Sequence, residues 1–239
     1  MSVRDRIGFL VISGPDDPNT PVWKSDVNKG LQEGREVYLY LIDRGVLHMA
    51  DDRFFESFSA HLRLYACAYG CRRYGVSLAK PAVFSGLAVL SHLLAGCRVF
   101  VSFPPIHDDP GEEWPLDGAR SVCHSKGKKD RRAVLYIRWD PRVSHLPVEG
   151  LRIGAGLSSG WSNLTILLNR AATPLIGLAP DEMVDGDNRD TYLDILAKSG
   201  AVFCHEADLA MPEDALTRRQ ITAEEKNRLL SGSQRLIVV

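Results

Sequence analysis

Three observations predict an α/β fold of three layers, α/β/α, built on a mostly parallel sheet. Short apolar runs of strand length alternate with amphipathic runs of helix length; the strand-like runs are continuously apolar; and the pattern starts again late in the chain. A continuously apolar strand is one buried on both faces, which is the setting of a parallel sheet covered by helices on each side.

The elements follow in order. "IGFLVISG", from Ile7, is a strand; "VWKSDVNKGLQEG", from Val22, is a helix ended by Gly34; "EVYLYLID", from Glu36, is a second strand. "DRFFESFSAHL", from Asp52, predicts a helix, "LRLYACA", from Leu62, a third strand, and "YGCRRYG", from Tyr69, the opening of a short helix. "AVFSGLAVLSHLLAG", from Ala82, predicts one longer helix, and "RVFVSF", from Arg98, a fourth strand. From Pro104 the chain turns rich in proline, glycine and charge, then gives "AVLYIRWDP", from Ala133, as one additional strand.

Beyond Gly150 the opening pattern is repeated. "RIGAGLSSG", from Arg152, matches "RIGFLVISG", from Arg6; "SGAVFC", ending at Cys204, matches "LRLYAC", ending at Cys67; and "RLLSGSQRLIVV", from Arg228, matches "HLLAGCRVFVSF", from His92. The spacing between copies stays nearly constant once the loop "PDDPNTPV" is taken as absent from the second. This predicts an internal duplication: a first domain over 1–105, a linker over 106–150 with one extra strand, and a degenerate second domain over 151–239.

Composition narrows the function classes. The chain has 239 residues, 45% hydrophobic and 25% charged, with a formal net charge of -1, which is ordinary for a folded protein and disfavours nucleic acid or an anionic membrane as partner. The basic run "KGKKDRR", Lys126 to Arg132, is the local exception and is expected to be a solvated loop. The opening "MSVRDRIGFLVISG" lacks a cleavage-site pattern, and no stretch reaches the roughly 18 apolar residues of a membrane span, so a cytoplasmic protein is expected. Five cysteines are an odd number for a disulfide framework, and each thiol is judged alone.

The chemistry is carried by "LYACAYGCRRYG", Leu64 to Gly75. A thiol works as nucleophile or sulfur acceptor only as the thiolate, which helix N-termini and nearby cations favour. Cys67 stands where a strand ends and a helix opens, with Arg72 and Arg73 in the following turns. Cys71, four residues on, is open to three readings: a resolving thiol, half of a metal site, or a core residue. A closed zinc site needs two further ligands, and no second cysteine pair supplies them at matching spacing, so no metal is expected. Cys204 is followed by Glu206 and Asp208, which disfavour a thiolate, and is expected to be a small buried residue. The turn "SGPDDPNTP" lacks the glycine spacing of nucleotide-phosphate loops and is expected to shape the thiol pocket.

Four segments together, "IGFLVISGPDDPNTPVW", "EVYLYLIDRGVL", "LYACAYGCRRYGV" and "SGLAVLSHLLAGCRVFVSF", resemble the DsrE/TusD-like sulfur-carrier family over Arg6 to Phe103; the second copy resembles it weakly and the linker not at all. The resemblance implies a cysteine after the third strand, Cys67 here, that carries sulfur as a persulfide between donor and acceptor proteins. It also implies multimers and no cofactor. Family members are about half this length, so a fused pseudo-dimer with one working and one scaffold half is expected. A non-catalytic DsrE-like scaffold is the first alternative, and a thiol-disulfide oxidoreductase using Cys67 and Cys71 is the second.

Overall fold

The computed structural model describes residues 5–51, 54, 61–77, 82–106, 121–124 (backbone), 132–161, 163–206, 216–233 and 235–239. The chain divides into two compact α/β units, each built on its own sheet.

In the first unit the elements run β1 (Arg6–Val11), α1 (Asn19–Gln32), β2 (Glu36–Leu41), a 3-10 segment (Asp43–Ala50), β3 (Leu62–Cys67), α2 (Ala68–Arg73), β4 (Val83–Ser85), α3 (Leu87–Gly96), β5 (Val99–Phe103) and β6 (Ser121–His124). The sheet order is β4-β3-β2-β1-β5-β6; every pairing is parallel except β5 with β6. One face packs Phe9, Val11, Leu39, Leu41, Leu64 and Ala66 against Trp23 and Val27 of α1. The other face carries Gly8, whose missing side chain leaves room for the ring of its β5 neighbour Phe100 and for Cys97, just after α3. Alternate residues along each strand thus serve the two helical layers.

In the second unit the elements are β7 (Arg132–Ile137), α4 (Leu146–Ser158), β8 (Asn163–Leu168), α5 (Arg189–Lys198), β9 (Val202–His205), β10 (Thr217–Gln220), α6 (Ala223–Gly232) and β11 (Arg235–Val238). The order is β10-β9-β8-β7-β11, all parallel. Helix α4 approaches the sheet through Gly150 and Gly154, where a Cβ would meet Ile137 at 2.8 Å and Ile166 at 3.1 Å.

The two units share one strand order, but the copies align differently from the sequence expectation. "RIGAGLSSG" is the body of helix α4, not a strand. The apolar side chains Leu146, Leu151, Ile153 and Leu157 are buried along one helix, and the glycines supply closeness to the sheet rather than a turn. The counterpart of β1 is β7, the strand expected as a linker's addition. The 106–150 segment therefore provides β6 to the first sheet, and β7 and the first turn of α4 to the second. Matching backbone hydrogen bonds fix the alignment: Ile12 N–H to Phe103 O corresponds to Arg138 N–H to Val239 O, and Ile42 N–H to Val11 O corresponds to Asn169 N–H to Ile137 O.

Other expectations shift by less. The run from Ala82 is split by Gly86 into strand β4 and helix α3. The helix expected over "DRFFESFSAHL" and most of "KGKKDRR" lie outside the described residues. Among the described residues no helix is long and apolar enough to cross a membrane.

Candidate functional site

Cys67 is the last residue of β3 and the N-cap of α2, with extended backbone angles of φ -63° and ψ 117°. It pairs in register with Ser85 of β4, while Tyr65, two residues earlier, pairs with Tyr40 of β2. In a parallel pair, partners share a face and alternate residues repeat it. Cys67, Ser85, Tyr65 and Tyr40 therefore share one face, whereas Leu64 and Ala66 belong to the other.

Around this corner several polar groups converge. The fully buried Tyr40 hydroxyl donates to the carbonyls of Ser85 and Gly86, at 3.3 and 3.1 Å, pinning the β4–α3 junction beside Cys67. Ser85 Oγ is buried and has no hydrogen-bond partner among the described residues. On the approach to α2, Asp43 sits just after β2 in the left-handed region at φ 49°, is buried, and accepts a 2.8 Å hydrogen bond from the Tyr74 hydroxyl. Gly70 of α2 rests on this turn: a Cβ there would be 3.3 Å from Asp43 N.

Cys71 lies on the opposite side of the sheet from Cys67, inside the core cluster with Val11, Trp23 and Ala66. Burial, and then the charge of a Cys67 thiolate, push its thiol up to about 11. Both cysteines are buried. Of the three readings of Cys71, its surroundings in the apolar cluster match the core residue. Arg72 and Arg73 are exposed and occupy the last turn of α2, the end away from Cys67. There they complement the helix's negative terminus, and the Arg73 guanidinium lies 5.5 Å from the Tyr74 ring centroid.

The turn "SGPDDPNTP" makes its contacts toward the exit of β5. Asp17 accepts from the backbone N–H of Asn19 at 2.8 Å and of Ile106 at 3.0 Å, and Asn19 Nδ2 donates to Pro104 O at 2.6 Å. Beside it His48 is buried, its Nε2 3.2 Å from Ser13 O and its ring edge-on to Trp23 at 4.9 Å. Burial, with Lys24 nearby, lowers its pKa to about 4, so the ring is neutral at pH 7.

In the second unit, Ala66 corresponds to His205 in the sheet register. The place of Cys67 is thus taken by Glu206, whose carboxylate accepts from Lys226 Nζ at 2.7 Å. Cys204 corresponds instead to Tyr65, and is a buried thiol raised by burial. The sequence match between the two cysteines was two residues out of register.

Sequence reasoning singled out Cys67 but not Tyr40, Asp43, Tyr74 or Ser85, which the fold places around the same corner. Asp43 had a signal in "LIDRG", an aspartate and glycine closing a strand. Tyr40 and Ser85 meet across the sheet, and Tyr74 reaches Asp43 from the end of α2, where spacing along the chain gives no pointer.

No family model matches the sequence, nor does any curated protein. Among solved structures, the YchN protein from E. coli is similar at 17% identity over 45% of this chain and 99% of that one, with a TM-score of 0.37.

Proposed function

We propose that this chain is a DsrE-like sulfur carrier that accepts sulfane sulfur on Cys67 and passes it to a partner protein. The observation that carries the reading is the position of Cys67 at the C-terminal edge of a parallel sheet, the edge where open α/β folds place their chemistry. The sequence resemblance names the same residue.

In the proposed transfer, the Cys67 thiolate attacks the terminal sulfur of a donor's persulfide. The new Cys67 S–S bond forms as the donor's S–S bond breaks, and the donor leaves as a thiolate. An acceptor thiolate then takes the terminal sulfur and releases Cys67. No net oxidant is needed, and the rates follow thiolate fraction, leaving-group pKa and access. The second unit, with an ion pair in place of the thiol, is proposed as the scaffold half of a pseudo-dimer, and donor and acceptor proteins are the proposed partners.

Intact-protein mass spectrometry after incubation with a low-molecular-weight polysulfide tests this. A gain of about 32 Da per sulfur, removed by reductant, retained in Cys204→Ser and lost in Cys67→Ser, is expected. A gain that survives Cys67→Ser, or no gain at all, overturns it.

One observation favours a second reading, a non-catalytic scaffold: Cys67 is only 1% exposed. A carrier must open this corner during transfer, so its Cys67 reacts with iodoacetamide in the native state, whereas in a scaffold the thiol reacts only on unfolding. The oxidoreductase reading draws no support from Cys71, given its core position and high pKa.

A further inference from the structure

A cavity of about 340 Å³ lies on the α6 face of the second sheet, lined among others by Arg132, Val134, Thr165, Arg219, Glu225 and Arg228. Its size falls in the range of small-molecule sites. The duplication shows how the space arises. Thr165 pairs with Val134 as Tyr38 pairs with Gly8, and Cys204 pairs with Leu167 as Tyr65 pairs with Tyr40. In the first unit Tyr38 and Tyr65 stack at 6.5 Å between centroids, with the Arg6 guanidinium 6.0 Å from the Tyr38 ring. The second unit replaces both rings with Thr165 and Cys204, yet keeps an arginine, Arg132, where Arg6 stands.

The charges around this space are arranged for an acid. Glu225 is already engaged: one carboxylate oxygen accepts from the Thr222 backbone N–H at 3.0 Å and the other from Arg219. Arg228 pairs with Glu224 at 3.1 Å, on the exposed side of α6. The lining and its ion-pair partners hold three guanidiniums, Arg132, Arg219 and Arg228, and two carboxylates, Glu225 and Glu224, and guanidinium groups bind phosphate and carboxylate through paired N–H donors.

We infer that this cavity binds a small aromatic anion. Its ring takes the volume that Tyr38 fills in the first unit, beside Thr165 and under Arg132 as Tyr38 lies under Arg6, and its acidic group meets Arg219 and Arg228. The site is independent of Cys67.

The test titrates the full chain with phenyl phosphate by ligand-observed NMR, with phenol and inorganic phosphate as separate arms. Saturable binding of phenyl phosphate at millimolar concentration or below is expected, with either fragment bound at least about tenfold more weakly. Thr165→Tyr, which restores the ring of the first unit, is expected to weaken binding by about tenfold or more, as is Arg219→Gln at an exposed position that tolerates the change. Cooperative thermal unfolding of each variant shows that it is folded, and Arg219→Gln decides the matter if Thr165→Tyr is not. Absence of saturable phenyl phosphate binding, inorganic phosphate bound as tightly as phenyl phosphate, or affinity unchanged in the folded variants overturns the inference.

Discussion

Two buried titratable groups give the first unit opposite responses to pH. His48 is held neutral, its pKa lowered to about 4 by burial and by Lys24, against the pull of the Ser13 carbonyl, Asp17 and Asp16. The unfolded chain takes up a proton near pH 6.5 that the native state refuses, so stability is lost as pH falls from about 6.5 toward 4. Urea unfolding at pH 7 and pH 5 is expected to show a lower midpoint at pH 5, and His48→Gln, which can still donate to Ser13 O, is expected to flatten that slope. Cys71 works the other way. Its thiol is raised to about 11, so the unfolded chain loses its proton first and stability falls as pH rises from about 9 toward 11. Cys71→Ala is expected to remove this alkaline loss, read as unfolding midpoints at pH 8 and pH 10. The sequence identified Cys71 as a residue with three possible roles; its burial among Val11, Trp23 and Ala66 could not be read there, because i and i+4 place two residues on one helix face only when both belong to the helix. Cys67 is the cap and ends the strand, which turns its side chain to the other layer.

At the scale of elements, capping and close approach decide the outcome more than apolar periodicity. Helix α6 opens with a reciprocal box: Glu225 N–H donates to Thr222 Oγ1 at 3.1 Å, and the Thr222 N–H donates back to the Glu225 carboxylate at 3.0 Å. Thr222→Ala is expected to cost about 1 kcal/mol, a lowering of the melting temperature by about 2–4 °C in a chain of this size. Gly45, by contrast, is required by contact: its N–H donates to Ile12 O at 3.1 Å, and a Cβ would lie 2.2 Å from Val11 O. The backbone oxygen cannot swing away as a side chain can, so Gly45→Ala is expected to destabilise by about 1–3 kcal/mol in denaturant titrations. Strands β1, β2, β3 and β5 were legible because each is a largely apolar run ending in polar or turn residues. The same rule failed at "RIGAGLSSG", where the residues preceding Arg152 carry half of the helical stripe. It failed again at "AVFSG", where three residues suffice for an edge strand beside β3.

Across the whole molecule, one strand order is used twice, with a difference at one edge. β1 and β7 are each central, flanked by β2 and β5 or by β8 and β11. Among the described residues β11 closes the second sheet, but the first sheet continues to β6, which pairs antiparallel with β5 from Val99 opposite His124 to Ser102 opposite Ser121. This strand comes from the polar stretch that composition marked as a linker. Its four residues are too short for a hydrophobic signal, and their strand character is set by the edge they meet. β5 is apolar, and its inner partner β1 occupies only one of its two hydrogen-bonding edges. Without β6 the other edge presents unpaired N–H and C=O groups along "VFVSF", which invites pairing with a second chain. A chain of residues 1–125 is therefore expected to unfold cooperatively and elute at its monomer or defined-oligomer size. One of residues 1–105, which keeps every element of the resemblance to a sulfur carrier but ends before β6, is expected to associate through β5 and aggregate on heating. Equal behaviour of the two in size-exclusion and thermal unfolding would show that β6 is dispensable, and that the edge of β5 is protected by its own sequence.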